Sequence, residues 1–213
     1  MKRGLLGGTF NPIHFAHLRI AEEARVAVGL EQVLFIPAAD PPHKPLAGDV
    51  AFELRYGMVQ QAIADNPFFR VTDIESRRTG KSYTVETLPA LQAELPGDEL
   101  YFIIGSDSYL ELGLWYRYQK IFALTSLVVV ERPGKRIQQP LIQLPEPVRS
   151  CFQQEAENLL RHKSGTTIHF IQGTHLDISS SRLRLLMTDG SSIRYLVPPV
   201  VEEYITQKGL YRT

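Results

Sequence analysis

Cysteine is nearly absent: Cys151 is the single thiol in 213 residues. One thiol cannot close an internal disulfide, so the chain is not a disulfide-stapled scaffold and its stability must come from a packed core. Net charge is absent as well, with 23 Lys and Arg against 23 Asp and Glu. Without a global field the chain does not read as a nucleic-acid or membrane-surface binder, and any affinity for anions must come from local groups. No apolar run reaches membrane-spanning length and no signal peptide precedes the first apolar strand, which leads to the expectation of a cytoplasmic protein with no membrane partner. Internal repeats, low-complexity tracts and convincing linkers are missing too. The length suits one well-buried domain over 1–213, its C-terminal helical part, about 178–213, packed on the rest.

Several chemical signatures are also missing. Gly80-Lys81-Ser82 imitates the end of a P-loop, but the position five residues before Gly80 is Glu75 rather than glycine, and no G-x-G-x-x-G follows the first strand. A structural or catalytic zinc needs three or four protein ligands, and His14 and His17 have no Cys, Asp or Glu beside them at ligand spacing.

What is present begins at residue 5. Leu5-Leu6 stops at Gly7-Gly8-Thr9-Phe10-Asn11-Pro12, and His14 and His17 stand three residues apart where a helix should begin. Two glycines at a strand end let the backbone turn with no Cβ in the way, so that amide N–H groups can face an anion and the following helix adds its positive end. From Phe15, the apolar positions Leu18, Ala21, Ala24, Ala27 and Val28 follow helical spacing. Residues three apart share a helix face, so both imidazoles can reach one phosphate. A histidine on a partly apolar helix is commonly structural; the pair, at the carboxyl end of a first strand, occupies the position where open α/β sheets bind ligands.

Apolar runs at 33–36, 69–72, 100–104, 127–130 and 167–170 alternate with helical patterns at 52–64, 85–94, 116–122 and 147–160, while 134–145 reads as a surface loop. Strands this uniformly apolar belong to sheets covered on both faces. The fold expected is therefore a doubly wound parallel sheet in three α/β/α layers, with functional groups on the rim where the strands end.

The run from Gly7 to His17 resembles the phosphate-binding signature of the nucleotidyltransferase superfamily, whose core is His-x-Gly-His. Asn11 stands where the family most often has Asp, and Ala16 where it has Gly. Pro41-Pro42-His43-Lys44, by itself an ordinary Pro-rich turn, is similar to the corresponding segment of bacterial nicotinate-nucleotide adenylyltransferases. Ser82-Tyr83-Thr84, whose hydroxyls and amides can cap the next helix, resembles that family's carboxylate-holding segment. Ile104-Gly105-Ser106-Asp107 matches its Gly-x-Asp element, and Arg132-Pro133-Gly134 its turn after the fifth strand. Trp115, the one tryptophan, reads either as core filler or as a stacking platform beside Tyr116. Ile178-Ser179-Ser180-Ser181-Arg182-Leu183-Arg184 is similar to Ile-Ser-Ser-Thr-x-x-Arg, with Ser181 in place of Thr; the serines can cap a helix, and Arg184 lies one turn from Ser181. The tail through Tyr204, Gly209 and Tyr211 resembles the family's closing helix and reads as structural.

The resemblance covers nearly the whole chain and implies a Rossmann-like nucleotidyltransferase fold that joins ATP to nicotinate mononucleotide and releases pyrophosphate. It implies His14, His17 and Arg184 as catalytic groups. Gly8, Thr9, Phe10, Asn11, Gly105, Asp107, Ser180 and Ser181 would hold ATP, and Lys44, Ser82, Tyr83, Thr84, Trp115 and Tyr116 would hold nicotinate mononucleotide. Mg2+ would arrive with the ATP phosphates, because the sequence shows no carboxylate cluster for it. Two alternatives stay open: a sibling adenylyltransferase acting on nicotinamide mononucleotide or phosphopantetheine, and a nucleotide sensor without catalysis. Oligomeric state is left open, a homo-oligomer being admitted.

Overall fold

Eight strands are hydrogen-bonded in the order β3-β2-β1-β4-β5-β8-β7-β6 in a computed structural model that describes residues 1–42, 50–131, 137–174 and 176–211. Along the chain these are β1 (Lys2–Gly8), α1 (Phe15–Val28), β2 (Gln32–Pro37), α2 (Phe52–Ala62), β3 (Phe69–Val71), α3 (Thr84–Glu94), β4 (Glu99–Gly105) and α4 (Ser106–Leu110). A 3-10 turn at Leu112–Leu114 leads to α5 (Tyr118–Leu124), β5 (Ser126–Glu131), α6 (Pro140–Gln143), α7 (Glu146–Arg149), β6 (Phe152–Ala156), β7 (Leu159–His162), β8 (Thr167–Gln172), α8 (Ser180–Thr188) and α9 (Pro199–Gln207). The β1–β4, β4–β5 and β5–β8 pairings are parallel. The strand order reverses between β1 and β4, the topological switch characteristic of nucleotide-binding α/β sheets.

By their contacts the described residues divide into two compact units. The first comprises 1–6, 20–33 and 83–175, and is built on β4 and β5, where residues 101–104 and 127–130 are all buried. Such runs need cover on both faces, as the apolar pattern predicts. The second comprises 7–19, 34–82 and 176–213 and contains α2, α8 and α9. In it α2 buries Arg55, Met58, Val59 and Ala62, a stripe at helical spacing, and packs closely on α9 at Gly57, where a Cβ would meet Tyr204 Oη at 2.6 Å. No helix among the described residues is long and apolar enough to cross a membrane.

The parallel strands fall where the apolar runs predict them, but the helix expected over 147–160 does not exist. Only Glu146–Arg149 is helical, and the rest is a hairpin of β6 and β7, paired antiparallel with each other and β7 with β8. Val148, Phe152 and Leu159 imitate a helical stripe, and Gln, Glu and Ala between them favour helix. Yet residues 153–158 are all exposed, so a helix there would have nothing to bury. The hairpin instead sets Phe152 opposite His162, with the Phe152 ring against Phe122 and His162 at 5.1 and 4.9 Å. Tertiary packing overrides propensity. The surface loop expected over 134–145 is also corrected in its described part: residues 140–143 are helical, and Ile137, Pro140 and Leu144 are buried.

Candidate active site

In the second unit, β1 ends at Gly8, whose carbonyl accepts the Ala38 N–H at 2.9 Å. The next turn is made by Phe10 in the left-handed region, φ +46°, a conformation that non-glycine residues adopt at a cost and that clusters at functional sites. Its ring is buried and explains Gly8: a Cβ there would press on Phe10 at 3.1 Å. Phe10 in turn meets His17 edge to face at 5.1 Å. His14, buried just before α1, and His17, in its first turn, stack with ring centroids 3.7 Å apart and planes 27° from parallel. The His14 N–H donates to His17 Nδ1 at 3.3 Å. Accepting at Nδ1 puts the proton of a neutral His17 ring on Nε2, the nitrogen on the far edge.

Three side chains from elsewhere in this unit hold the loop by its carbonyls. Arg55 Nη1 donates to Thr9 O at 2.8 Å, Arg184 Nη1 to Asn11 O at 2.7 Å, and Ser180 Oγ to Pro12 O at 2.9 Å. Arg184 Nη2 also donates to Ser181 Oγ at 3.2 Å, which bears out the one-turn spacing of that pair. Ser179 caps α8 by accepting the Arg182 N–H at 3.3 Å. Asn11 is buried, and its Oδ1 accepts the Tyr211 hydroxyl. Beside the α8 N-terminus a cavity of about 300 Å3 is bounded by Ser179, Arg182, Leu183 and Leu196.

Ser82 departs from expectation. It does not cap α3, whose N-cap is Tyr83 with no side-chain bond. Its Oγ accepts the N–H groups of Ala39 and Asp40 at 3.0 and 3.1 Å and ties down the chain after β2, one hydroxyl satisfying two backbone donors at once. His43 and Lys44 lie outside the described residues, as do Arg132, Pro133 and Gly134.

In the first unit, β4 passes into α4 with no intervening loop, Gly105 at the strand end and Asp107 in the first helical turn. No described residue would come within 4 Å of a Cβ on Gly105, so packing among the described residues does not require glycine there. Tyr83 and Tyr116 meet with ring centroids 4.4 Å apart and planes tilted by 36°, and the Arg117 guanidinium lies 4.9 Å over Tyr116. Trp115 is half-buried with its ring edge-on to Phe102 at 6.1 Å, and Thr84 begins α3. Among the described residues no group of three or more His, Cys, Asp or Glu is gathered to hold a metal ion.

Sequence reasoning missed Arg55 and Tyr211. Arg55 had a signal: it occupies an inward position of α2, three and four residues before Met58 and Val59, where an arginine must find buried partners. Tyr211 had none.

A left-handed turn after a glycine-ended strand, carbonyls drawn back by arginines, and paired imidazoles at a helix start are together an arrangement chemically suited to an anion such as phosphate, carried on a doubly wound sheet. The family model for cytidylyltransferase-like proteins matches residues 5–185. A protein of Trichlorobacter lovleyi named probable nicotinate-nucleotide adenylyltransferase is 71% identical over 212 residues, covering 100% of both chains, and one of Syntrophotalea carbinolica with the same name is 55% identical over 100% of this chain and 98% of its own. The chain belongs to the nicotinate-nucleotide adenylyltransferase family. The fold is similar to that of the Plasmodium falciparum nicotinic acid mononucleotide adenylyltransferase in complex with NaAD, at a TM-score of 0.76 and 20% identity over 99% of this chain and 98% of the other.

Proposed function

We propose that the protein transfers the adenylyl group of ATP to nicotinate mononucleotide, forming nicotinate adenine dinucleotide and pyrophosphate. The observation that carries this reading is the loop of residues 8–11 with the stacked pair His14 and His17 at its end; the names and full-length identity of the relatives support it. A phosphate oxygen of nicotinate mononucleotide attacks the α-phosphorus of ATP in line, and the bond from that phosphorus to the bridging oxygen of pyrophosphate breaks. The nucleophile belongs to the substrate, so the protein acts by positioning and charge stabilisation.

The Gly8, Thr9 and Phe10 backbone holds the nucleotide phosphates, with Asn11 shaping the loop. His17 presents Nε2–H to the charge that develops at the α-phosphate, and His14 stands beside it. Ser180, Ser181 and Arg184 hold the departing pyrophosphate; Arg184 spends two of its five N–H groups on Asn11 and Ser181 and has others to offer. Gly105 and Asp107 receive the ATP ribose, whose hydroxyls donate to the carboxylate. Ser82, Tyr83, Thr84, Trp115 and Tyr116, with Lys44, recognise nicotinate mononucleotide, the aromatic groups by stacking on its ring. Mg2+ enters as Mg-ATP and neutralises phosphate charge.

Pyrophosphate release with Mg-ATP and either nicotinate or nicotinamide mononucleotide, run beside His17→Ala, tests the reading. The expected result is strong preference for the acid, lost in the variant and on chelation of Mg2+. Equal use would make the enzyme dual-specific. Release with neither, while Mg-ATP still binds, would overturn the substrate assignment.

A further inference from the structure

The loop that presents amides to phosphate is unusual in being held from behind. In a trans peptide the carbonyl and the following N–H point in opposite directions. The Thr9 carbonyl is drawn to Arg55, so the Phe10 N–H is sent the other way; Phe10, at φ +46°, is the residue whose backbone must be held against its own preference. Arg55 can do this because it is completely buried on α2, with Nε on Val50 O at 3.1 Å and its guanidinium 5.7 Å from the Phe52 ring. A guanidinium fixed at two points by carbonyls and at its flank by a ring has little freedom to swing.

The second hold comes from the end of the chain. After α9, the Gly209 N–H bonds Thr206 O at 3.2 Å and the Leu210 N–H bonds Ile205 O at 3.0 Å, with Gly209 at φ +61°. These are the paired bonds of a Schellman termination, which reverses the chain at a fixed angle. Tyr211, itself at φ +63°, is thereby turned inward, and its hydroxyl donates to Asn11 Oδ1. Burial raises the phenol well above its ordinary range, so the group is a hydroxyl donor throughout the working pH range. Arg184, on Asn11 O, holds the same residue from its backbone.

We propose that Arg55 and Tyr211, which belong to none of the recognised motifs, are positioning residues of the phosphate loop, acting through the Thr9 carbonyl and the Asn11 side chain to keep the Phe10 amide aimed at substrate phosphate. The tail is therefore part of the site's support and not only a closing helix. The assignment rests on the proposed reaction for its kinetic readout but has one independent of it, the affinity for Mg-ATP.

Tyr211→Phe keeps the half-buried ring and removes only the donor. It is expected to melt within about 2 °C of the parent while kcat for pyrophosphate release falls about tenfold, the scale on which small misplacements of reacting groups act. Its KM for nicotinate mononucleotide should stay within twofold, and its affinity for Mg-ATP by calorimetry should fall about fivefold. Because Tyr211 works through Asn11, adding Tyr211→Phe to Asn11→Ala should cost less than the two single losses multiplied. Arg55→Met, of similar reach but without donors, should lose more than Arg55→Lys. A parent that binds Mg-ATP yet releases no pyrophosphate with nicotinate mononucleotide would remove the substrate assignment alone, and the drop in Mg-ATP affinity would still support the positioning role. A Tyr211→Phe protein whose kcat and Mg-ATP affinity both lie within twofold of the parent, or a double variant whose losses simply multiply, would overturn it.

Discussion

Between β1 and α1 the chain spends residues 9–14 on a turn, whereas β4 becomes α4 directly at Gly105 and Ser106. The first crossing needs a left-handed Phe10, side chains from α2 and α8 on its carbonyls, and the Tyr211 hydroxyl on the Asn11 side chain. The second is held by its own ladder and helix, with Ser106 buried and Gly105 in ordinary extended backbone. A loop that must direct successive amides at an anion cannot also satisfy its carbonyls within a strand or helix, so distant residues have to accept that task. A strand that passes directly into a helix places its carbonyls in the ladder or the helix and leaves only the first helical N–H groups open, so its carbonyls need no such help. The first crossing should therefore be sensitive to change far from the phosphates, and the second only to change at the carboxylate itself.

The largest effect is expected at the first crossing. His17→Ala removes the ring proposed to meet phosphate, which also accepts the His14 N–H and packs on Phe10. Turnover should fall by about 10^2 to 10^3, as for loss of a transition-state donor, with a normal circular dichroism spectrum. Near-normal pyrophosphate release would break the assignment. At the second crossing, Asp107→Ala should raise KM for ATP about tenfold or more, the scale of hydrogen bonds to a charged acceptor, with a smaller change in kcat. A larger fall in kcat than in ATP binding would mean that Asp107 serves the chemistry and that the two crossings are not divided as argued.

Stability offers a sharper test of the support. In Gly57→Ala the new Cβ would lie 2.6 Å from Tyr204 Oη, so α9 must yield. Alanine favours helix over glycine by about 1 kcal/mol, but overpacking commonly costs about 1 to 3 kcal/mol, and here the stiff aromatic ring of half-buried Tyr204, held on α9, decides for the clash. Urea unfolding should show net destabilisation. Unchanged or increased stability would show that α9 has room to move, and would weaken the case that it delivers Tyr211 to a fixed place.

The strand ends were readable from sequence because glycine, histidine, serine and arginine at fixed short spacings report local geometry. Gly7-Gly8, His14 and His17, and Ser181 with Arg184 are all contacts within one loop or one helical turn. The partners of the supports were not readable because they lie far off in the chain: an arginine at an inward position of α2 signals a buried partner without saying that it is Thr9, and nothing at the end of α9 signals that Tyr211 reaches Asn11. The same distinction explains the hairpin at 152–162. Its local composition favours helix, and only pairing with β8 and packing on Phe122 make it a strand pair.

The hairpin and β8 beside it also provide the mildest test, because their histidines belong to no crossing. His162 is lowered from its ordinary pKa first by burial and then by Lys163, and His169 by burial and then by Lys2 and Arg161. A histidine whose folded pKa lies below its unfolded value contributes stability that is fully present above the unfolded pKa, about 6.5. As pH falls through that value the unfolded chain takes up protons that the folded one does not, and the contribution declines until the folded pKa is passed. His162 has a specific stake in the neutral form, since its Nδ1 accepts the Ser164 N–H at 3.2 Å, and protonation there would remove that acceptor. The melting temperature should therefore drift down below about pH 6.5, and a His162→Gln variant should show a shallower decline. The drift should also survive in His17→Ala, because it arises from the hairpin and not from the phosphate loop. Its disappearance in His17→Ala would place the titrating group at the first crossing and assign that region a pH sensitivity that the geometry gives to β7 and β8.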